Sequence, residues 1–419
     1  MQKKLLILGS LGEFVELTKK SKSRGYYTII CDGYPEGPAR EFADEQYTIR
    51  VDHIDEIAEL CREKGVDAII TSYSDLMLEC MVKIADKAGI PCYLSPDQLD
   101  WYRDKAKAKE LLSSLGLPAP AFKEVETHKE LTNDDIAPLQ FPIVTKPTDK
   151  YGSRGIYYVR DLKELNDAVK RSAEFTDKST ILLEEYNPGY ELNIMCWVCD
   201  GKVYVLGMGD REKTLFHEGE IPIATRIAYP SRLKDQAMEP ARQLLQSYVD
   251  KTGQKDGALC MQFFWSKEKG IQVCEIAARF FGYEHPLINI VYGFDINELL
   301  LNYAFDKEAL KAQLEAHNVE APKQNGAVLY FHGRLKELAD ITSAKELANH
   351  PSVVMPWIFY EEGESIIEFG KNPYFALYYI CAPTREELDA STEVFFENMS
   401  AKGTDGEEVL YKNKIPEYR

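Results

Sequence analysis

Two apolar runs open the chain, KLLILGS from Lys4 and YYTIICDG from Tyr26. Neither alternates with polar residues, which is the pattern of strands buried on both faces of a parallel sheet. Between and after them the period changes. HIDEIAELCREKG places Ile54, Ile57, Ala58 and Cys61 on one helical stripe and stops at Gly65. VDAIITS reads as a further strand. DLMLECMVKIADKAG repeats the helical spacing with Leu78, Met81, Val82 and Ala85, and IPCYLS closes the series as another strand. Strand and helix in alternation predict a parallel α/β domain over the first hundred or so residues.

Ser95-Pro96 then reads as a helix N-cap with proline at the first helical position. DKAKAKELLSSLGLPAP follows, a short amphipathic helix stopped at Gly116. Beyond it strands and hairpins dominate, with helices at about 161–173 and 235–252, an α+β pattern. From about residue 325 a third segment begins, with strands GAVLYFHG, VVMPWIFY, SIIEFG and FALYYICAP and the helix TREELDASTEVFFENM. The polar tail KGTDGEEVLYKNKIPEYR is expected to be partly ordered.

Length and composition narrow the picture. A chain of 419 residues, 45% hydrophobic, predicts two or three domains with real cores. A net charge of −18 argues against a general nucleic-acid or anionic-membrane binder. No apolar run approaches twenty residues, and the run in MQKKLLILGS is too short for a signal peptide, so a cytoplasmic location is expected. The nine cysteines lie mostly in apolar segments. Cys196 and Cys199 of CWVC are three apart in a strand before an Asp-Gly turn, so they point to opposite faces and do not form a redox or zinc pair.

The candidate chemistry lies elsewhere. The first turn, GSLGEF, has Gly9 and Gly12 without the full dinucleotide fingerprint. With Asp32 ending the next strand, a tight strand–helix turn is the better reading of the two. There is no Walker A match. Instead, FPIVTK ends in Lys146, and a glycine-containing turn leads into GIYYVR. Backbone N–H groups of such a turn can converge on an anion, a lysine at the strand end supplies a point charge, and a mobile hairpin tip can close over a ligand. A plain hairpin would read the same way. Lys105 offers a second cation upstream. ILLEEYNPGYE, 181–191, is an apolar strand ending in acids and a turn, where backbone groups could read an adenine edge and Glu191 could accept from ribose hydroxyls. Each of these acids alone would read as solvated surface. In GALCMQFFWSKEKGIQVCEIAARFFG, a hairpin turning near 268–269 sets Gln262 opposite Glu275, on one face. Two oxygens there suit Mg²⁺, and Arg279, further along the same side, could stabilise a transferring phosphoryl group. The plain alternative is a surface hairpin with a salt bridge.

These elements, in this order, resemble the ATP-grasp ligases, especially the branch near carbamoyl-phosphate synthase large-chain units and amino-acid ligases. The resemblance implies an ATP-grasp architecture of mixed α/β and α+β type in three segments. They are an N-terminal parallel α/β pre-ATP-grasp domain (1–95), an ATP-grasp domain (96–325) with a lid at about 118–185, and a small C-terminal α/β domain with its polar tail (326–419). It implies nucleotide-phosphate contacts for Lys105 and Lys146, and a triphosphate flap at Gly152, Ser153, Arg154 and Gly155. Glu184 matches the acid near the adenine amino group, Glu185, Tyr186 and Asn187 match the hinge, and Glu191 matches the ribose acid. Gln262 and Glu275 match the metal ligands, with Glu275 central to turnover, and Arg279 matches the arginine beside the acyl phosphate. One departure stands out: EIAAR carries Ala277 where the family pattern has an asparagine that also helps the metal.

The implied function is an ATP-dependent, ADP-forming carboxylate ligase, with a carboxylate and a nucleophile, an amine first of all, as substrates. Its cofactors would be ATP and one or two Mg²⁺, with Mn²⁺ as a substitute. A homodimer is compatible with the resemblance; nucleic acid and membrane are not expected partners. Candidates for the acceptor pocket are Tyr283, Glu284 and His285 with Arg211 and Arg226; structural ion pairing is the rival role for the arginines. Two rival functions remain. Glutamine at 262, which is similar to the carbamoyl-phosphate synthase units, motivates a carbamoyl-phosphate synthase-like enzyme, and Ala277 motivates a catalytically weak, nucleotide-binding regulatory protein.

Overall fold

A computed structural model describes residues 2–71, 73–149, 155–215, 221–366 and 374–417. The unalternating apolar runs of the N-terminal segment form a parallel sheet in the order Glu45–Tyr47, Tyr27–Cys31, Lys4–Leu8, Ala68–Ile70. Leu6 lies between Ile29 and Ile69, and the helices Ile54–Lys64 and Asp75–Ala88 pack their apolar stripes on this sheet. The first turn is closed from within. The Asp32 carboxylate accepts from the backbone N–H of Ser10 at 2.7 Å and from its hydroxyl at 2.8 Å. Gly9, at φ +123°, leaves room for the Phe14 ring. The turn reading therefore accounts for both residues.

Two strand expectations differ from the structure. EQY is a strand despite lacking an apolar run, because it only completes an edge. IPCYLS joins no sheet. Pro91 has no N–H to give a ladder, and the segment instead seats Tyr93 against Gly257, where a Cβ would lie 2.3 Å from the ring. The Tyr93 hydroxyl donates to the Ala278 carbonyl at 3.0 Å, which ties the N-terminal segment to the main sheet.

The helix Pro96–Arg103 starts at a Ser95/Gln98 capping box, and Lys105–Ser114 is capped by Asp104 and ends before Gly116 at φ +65°. Next comes a small antiparallel sheet in the order Phe122–Glu126, Thr180–Glu185, Ile143–Lys146, Tyr157–Val159. The helix Leu162–Ala173 covers it with Leu165, Ala168 and Val169, forming a separate small core.

The large sheet has eight strands among the described residues, all antiparallel. Their order is Gly270–Ala277, Gly257–Ser266, Tyr190–Cys199, Lys202–Thr214, Ile223–Tyr229, Asn325–Phe331, Ala376–Ala382, Val353–Ile358. Asp200 at φ 51° and Gly201 at φ 80° make the turn after CWVC. Cys196 and Cys199 fall in different cores, on opposite faces. The C-terminal segment has its own core under the helix Arg385–Asn398, yet its strands continue the large sheet through Ile223–Tyr229. Most of SIIEFG, and the flap residues Gly152, Ser153 and Arg154, lie outside the described residues. Among the described residues no helix is long and apolar enough to cross a membrane.

Candidate active site

The hairpin Gly257–Ser266/Gly270–Ala277 does bring Gln262 opposite Glu275, through a bulge. Near its tip Ser266 faces Gly270 and Phe263 faces Val273, a register that would leave Gln262 opposite Cys274. The extra residue at the bulge shifts the pairing by one and delivers Glu275. On its other side Gln262 faces Asn193 of the neighbouring strand. Three oxygen-bearing side chains thus form a row across three strands, and all three line one cleft of about 240 Å³.

Cations occupy the facing wall. Lys105 and Lys109 are one helical turn apart and both line the cleft, as does Lys146 at the end of its strand. The buried Glu184 carboxylate binds two of them, Lys146 at 2.7 Å and Lys109 at 2.8 Å. Burial alone would raise the Glu184 pKa, but Lys109 and Lys146 outweigh it and hold the carboxyl below its ordinary range. For Lys146 burial acts to lower and Glu184, with Cys274 and Glu275 beyond, acts to raise; the net shift is upward.

A second buried acid is clamped in the same way. Glu191 accepts from Arg211 at 2.5 Å, from the Gln262 amide nitrogen at 2.5 Å, and from Lys213. Burial acts to raise its pKa, Lys213 and Arg211 act to lower it, and the net shift is downward. Arg279 donates to Asp75 of the N-terminal segment at 2.8 Å. Burial would lower the arginine, but Asp75 and Glu275 raise it further, so it stays charged.

Glu284 differs. It lines the cleft, is 4% exposed, and accepts from the Asn193 amide nitrogen at 2.6 Å and the Tyr229 hydroxyl at 3.1 Å. Burial pushes its pKa up to about 7 against the pull of Arg211, its two hydrogen bonds and Arg279.

The structure separates the other sequence candidates. Gly155 is described, at φ +70°, with its carbonyl accepting from Ser172 at 2.7 Å. The hinge backbone is already engaged at two residues. Glu185 N–H donates to Ala121 at 2.9 Å and Tyr186 N–H to Pro142 at 2.9 Å. The Glu185 side chain accepts from Gln140 at 2.9 Å, and Asn187 bonds Gln272, so these side chains turn from the cleft. Arg226 is fully buried on the other face of the sheet, with Glu212, Asp389 and Thr392 as partners. It lines no part of the cleft, and the ion-pair role accounts for it. Tyr283 joins a ring cluster with Trp357 at 5.8 Å and Tyr374 at 5.6 Å. His285 is stacked on Tyr73 at 4.1 Å and bonded to the Gly282 carbonyl, and burial lowers its pKa to about 4. Neither lines the cleft, although both flank Glu284 in sequence.

Sequence reasoning missed Lys109, Asn193 and Asp75. Lys109 carries a signal, its spacing of four from Lys105 on a predicted helix. Asn193 is a lone amide in the apolar run LNIM, a polar residue that burial alone would disfavour. Asp75 in the first turn of a helix looks like a simple capping acid, and only the fold brings it to Arg279.

Chemically, the cleft sets lysine and arginine charge around a carboxylate–amide oxygen pair. Glu275 makes no hydrogen bond or ion pair among the described residues. Gln262 spends its nitrogen on Glu191, which leaves its oxygen as the available end. Both fit a hard divalent cation beside a polyphosphate. Ala277, paired with Cys260 and 2% exposed, adds no donor.

Comparison with known proteins agrees with this geometry. Residues 139–285 match the ATP-grasp domain, and residues 5–92 match the PylC-like N-terminal domain. The carbamoyl phosphate synthase large chain of Pseudomonas aeruginosa is 23% identical over 261 residues, which cover 58% of this chain and 24% of that one. The chain thus spans only about a quarter of that relative's length. Among solved structures, an L-amino acid ligase from Bacillus licheniformis superimposes with a TM-score of 0.78 at 19% identity, covering 98% of this chain and 99% of the other. The biotin carboxylase domain of Hydrogenobacter thermophilus 2-oxoglutarate carboxylase, solved with MgADP, ADP and bicarbonate, gives 0.70 at 18% identity, covering 96% and 91%. Residues 139–285 thus carry an ATP-grasp domain match and residues 5–92 a PylC-like N-terminal domain match, and the whole-chain superpositions show that the chain shares its fold with the L-amino acid ligase and the biotin carboxylase domain.

Proposed function

We propose that this chain is an ATP-dependent, ADP-forming ligase that joins a carboxylate to an amine through an acyl phosphate. The observation that carries the reading is the cleft itself. Lys105, Lys109, Lys146 and Arg279 line the same cavity as Glu275 and Gln262. That charge distribution suits a nucleoside triphosphate whose terminal phosphate lies against Arg279.

In this reading Lys105 and Lys146 neutralise the phosphates, and Glu184 aims Lys146 and Lys109 through its two ion pairs. The flap assigned to 152–155 would cover the triphosphate and keep water from the reacting phosphate. Adenine would lie near the 184–187 hinge. Because the Glu185 and Tyr186 N–H groups are bonded within the small sheet, the hinge would read the base with its remaining backbone groups. Glu191 is placed with Arg211, Lys213 and Gln262, so its contact with ribose would come by way of this network. Glu275 and the Gln262 oxygen would hold Mg²⁺, which neutralises charge on the transferring phosphoryl group. Arg279, kept charged by Asp75, stands where it can stabilise both the phosphoryl group and the acyl phosphate. The protein's contribution is placement and charge, without a covalent enzyme intermediate.

The division into 1–95, 96–325 and 326–419 belongs to the same reading, with the small sheet as the lid over ATP. The test is ADP release with MgATP across a panel of amino acids and small organic acids, each with and without hydroxylamine to trap an acyl phosphate as its hydroxamate. Carboxylate-dependent ADP release and hydroxamate are expected. ADP release indifferent to every carboxylate, or none at all, would overturn the ligase reading.

A further inference from the structure

A carboxylate as deeply buried as Glu284 ordinarily has a cation against it. Glu184, which lines the cleft, and Glu191, held by Arg211 and Gln262 of the cleft wall, follow that rule. Glu284 does not. Its hydrogen-bond partners are neutral, the Tyr229 hydroxyl and the Asn193 amide. The nearest guanidinium groups are committed elsewhere, Arg211 to Glu191 at 2.5 Å and Arg279 to Asp75 at 2.8 Å. They act on Glu284 only through their charge.

A second unmatched acceptor lies beside it. Asn193 is 1% exposed, and its amide oxygen is buried without a hydrogen-bond partner. That oxygen shares a carbon with the nitrogen that donates to Glu284, so the two acceptors are neighbours. Both residues line the cleft that holds Arg279 and Glu275. An amide oxygen without a donor beside a carboxylate without a cation is the complement of a cation carrying several N–H groups.

We propose that Glu284 and the Asn193 oxygen form the subsite for the amine substrate, which binds as a primary ammonium and gives a proton to Glu284. This rests on the ligase reading above. An ammonium has no lone pair to attack with, so one proton must leave first. It passes to the Glu284 carboxylate. The amine nitrogen then forms its bond to the acyl carbon as the carbon–oxygen bond to phosphate breaks. The second nitrogen proton leaves with the departing group as hydrogen phosphate, and Glu284 returns its proton to water. With a pKa pushed up to about 7, the carboxyl can take and release that proton near neutrality. The remaining titratable groups acting on this site are Arg211, Arg279, Cys260, Tyr330, Tyr374 and Tyr379, and burial holds the thiol and each of these tyrosines neutral.

The test compares two nucleophiles on one acyl phosphate. Glu284→Gln keeps the size of the side chain and an acceptor for Tyr229. The carboxylate giving the most hydroxamate in the panel is supplied at mildly alkaline pH with MgATP, either with hydroxylamine or with a mixture of the proteinogenic amino acids as amines. Hydroxylamine is largely uncharged there and needs no anionic subsite. The variant should form hydroxamate within about threefold of wild type while amide formation falls roughly a hundredfold or more. Asn193→Leu should raise the KM of the amine more than it lowers hydroxamate yield. Equal loss of hydroxamate and amide in Glu284→Gln would place the carboxylate in the phosphorylation step or in folding and overturn the assignment, as would unchanged amide formation. Absence of hydroxamate from wild type would sink the ligase reading itself, a different result.

Discussion

The strand Ile223–Tyr229 has a different kind of buried polar group on each face. On one face Arg226 is bonded twice to Glu212, at 2.5 and 2.9 Å, and once each to Asp389 and Thr392, at 2.8 Å. Arg385 adds a bond to Glu212 at 2.9 Å and one to Asp210 at 3.0 Å. These bonds tie the large sheet to the helix Arg385–Asn398. On the other face the buried Tyr229 donates to Glu284, which lines the cleft and has no cation of its own. Both groups are buried, so depth does not separate them. What separates them is completion. The Arg226 knot is matched within the protein and holds it together, while the Glu284 pair is left for something outside the chain to match.

The largest expected effect is on the completed side. Arg226→Met removes a buried cation and four hydrogen bonds, leaving Glu212 and Asp389 to Arg385 and, for Asp389, Arg232. Denaturant unfolding should show a loss of about 3–5 kcal/mol. Calorimetric binding of a non-hydrolysable ATP analogue should be unchanged for the fraction that folds. Weakened analogue binding in folded protein would mean that Arg226 reports to the cleft after all, and the contrast between the faces would be lost.

The incomplete side should show the opposite sign. Below pH 4.5, the ordinary carboxyl value, Glu284 holds its proton in both folded and unfolded chains. As pH rises toward about 7 the unfolded chain releases that proton and the folded one keeps it, so native stability falls. Above that the penalty is complete, about 3 kcal/mol from the shift. Glu284→Gln should therefore match wild type at low pH and become more stable than it by roughly that amount in alkaline solution. Unfolding curves of both proteins across the range measure the difference. A difference that does not depend on pH would mean that Glu284 is compensated in the folded protein.

Next in size is Lys146→Met. Lys109 remains on Glu184, so the fold should hold. Binding of the ATP analogue should weaken by about a hundredfold, near the 1.5–3 kcal/mol of a hydrogen bond to a charged group. Unchanged affinity would remove the phosphate role given to Lys146 and make its pair with Glu184 another completed knot.

Much of this was legible in the chain. Unalternating apolar runs predict the parallel sheet, and the order of the motifs predicts the architecture. The pairing of Gln262 with Glu275 was legible too, although the hairpin reaches it through a bulge that a simple count does not reveal. The difference between Arg226 and Arg211 was not. Both are arginines in apolar strands, and which face each meets depends on a bulge between Glu212 and Lys213 and on a helix over a hundred and fifty residues away. The unmatched state of Glu284 is equally invisible, since it depends on Arg211 and Arg279 being taken by acids from distant segments. Local pattern decides elements, and three-dimensional neighbours decide which charges are left unmatched.

The smallest expected effect concerns Ala277, a gap of another kind. Residues 275 and 277 point to the same face of their strand. An amide at 277 would therefore extend the row of oxygens one pleat beyond Glu275, next to Cys260. The position is 2% exposed, so an added amide must displace packed neighbours, and this limits what it can contribute. Ala277→Asn should tighten apparent Mg²⁺ binding, in the presence of nucleotide, by a factor of a few to about tenfold, up to about 1 kcal/mol. The readout is the Mg²⁺ dependence of analogue binding at fixed nucleotide, which does not require turnover. Tighter Mg²⁺ binding would mark Ala277 as an unfilled ligand position, like Glu284 a place where the chain stops short of completing its own site. Identical curves would mean that Gln262 and Glu275 suffice for the cation without a third ligand at 277.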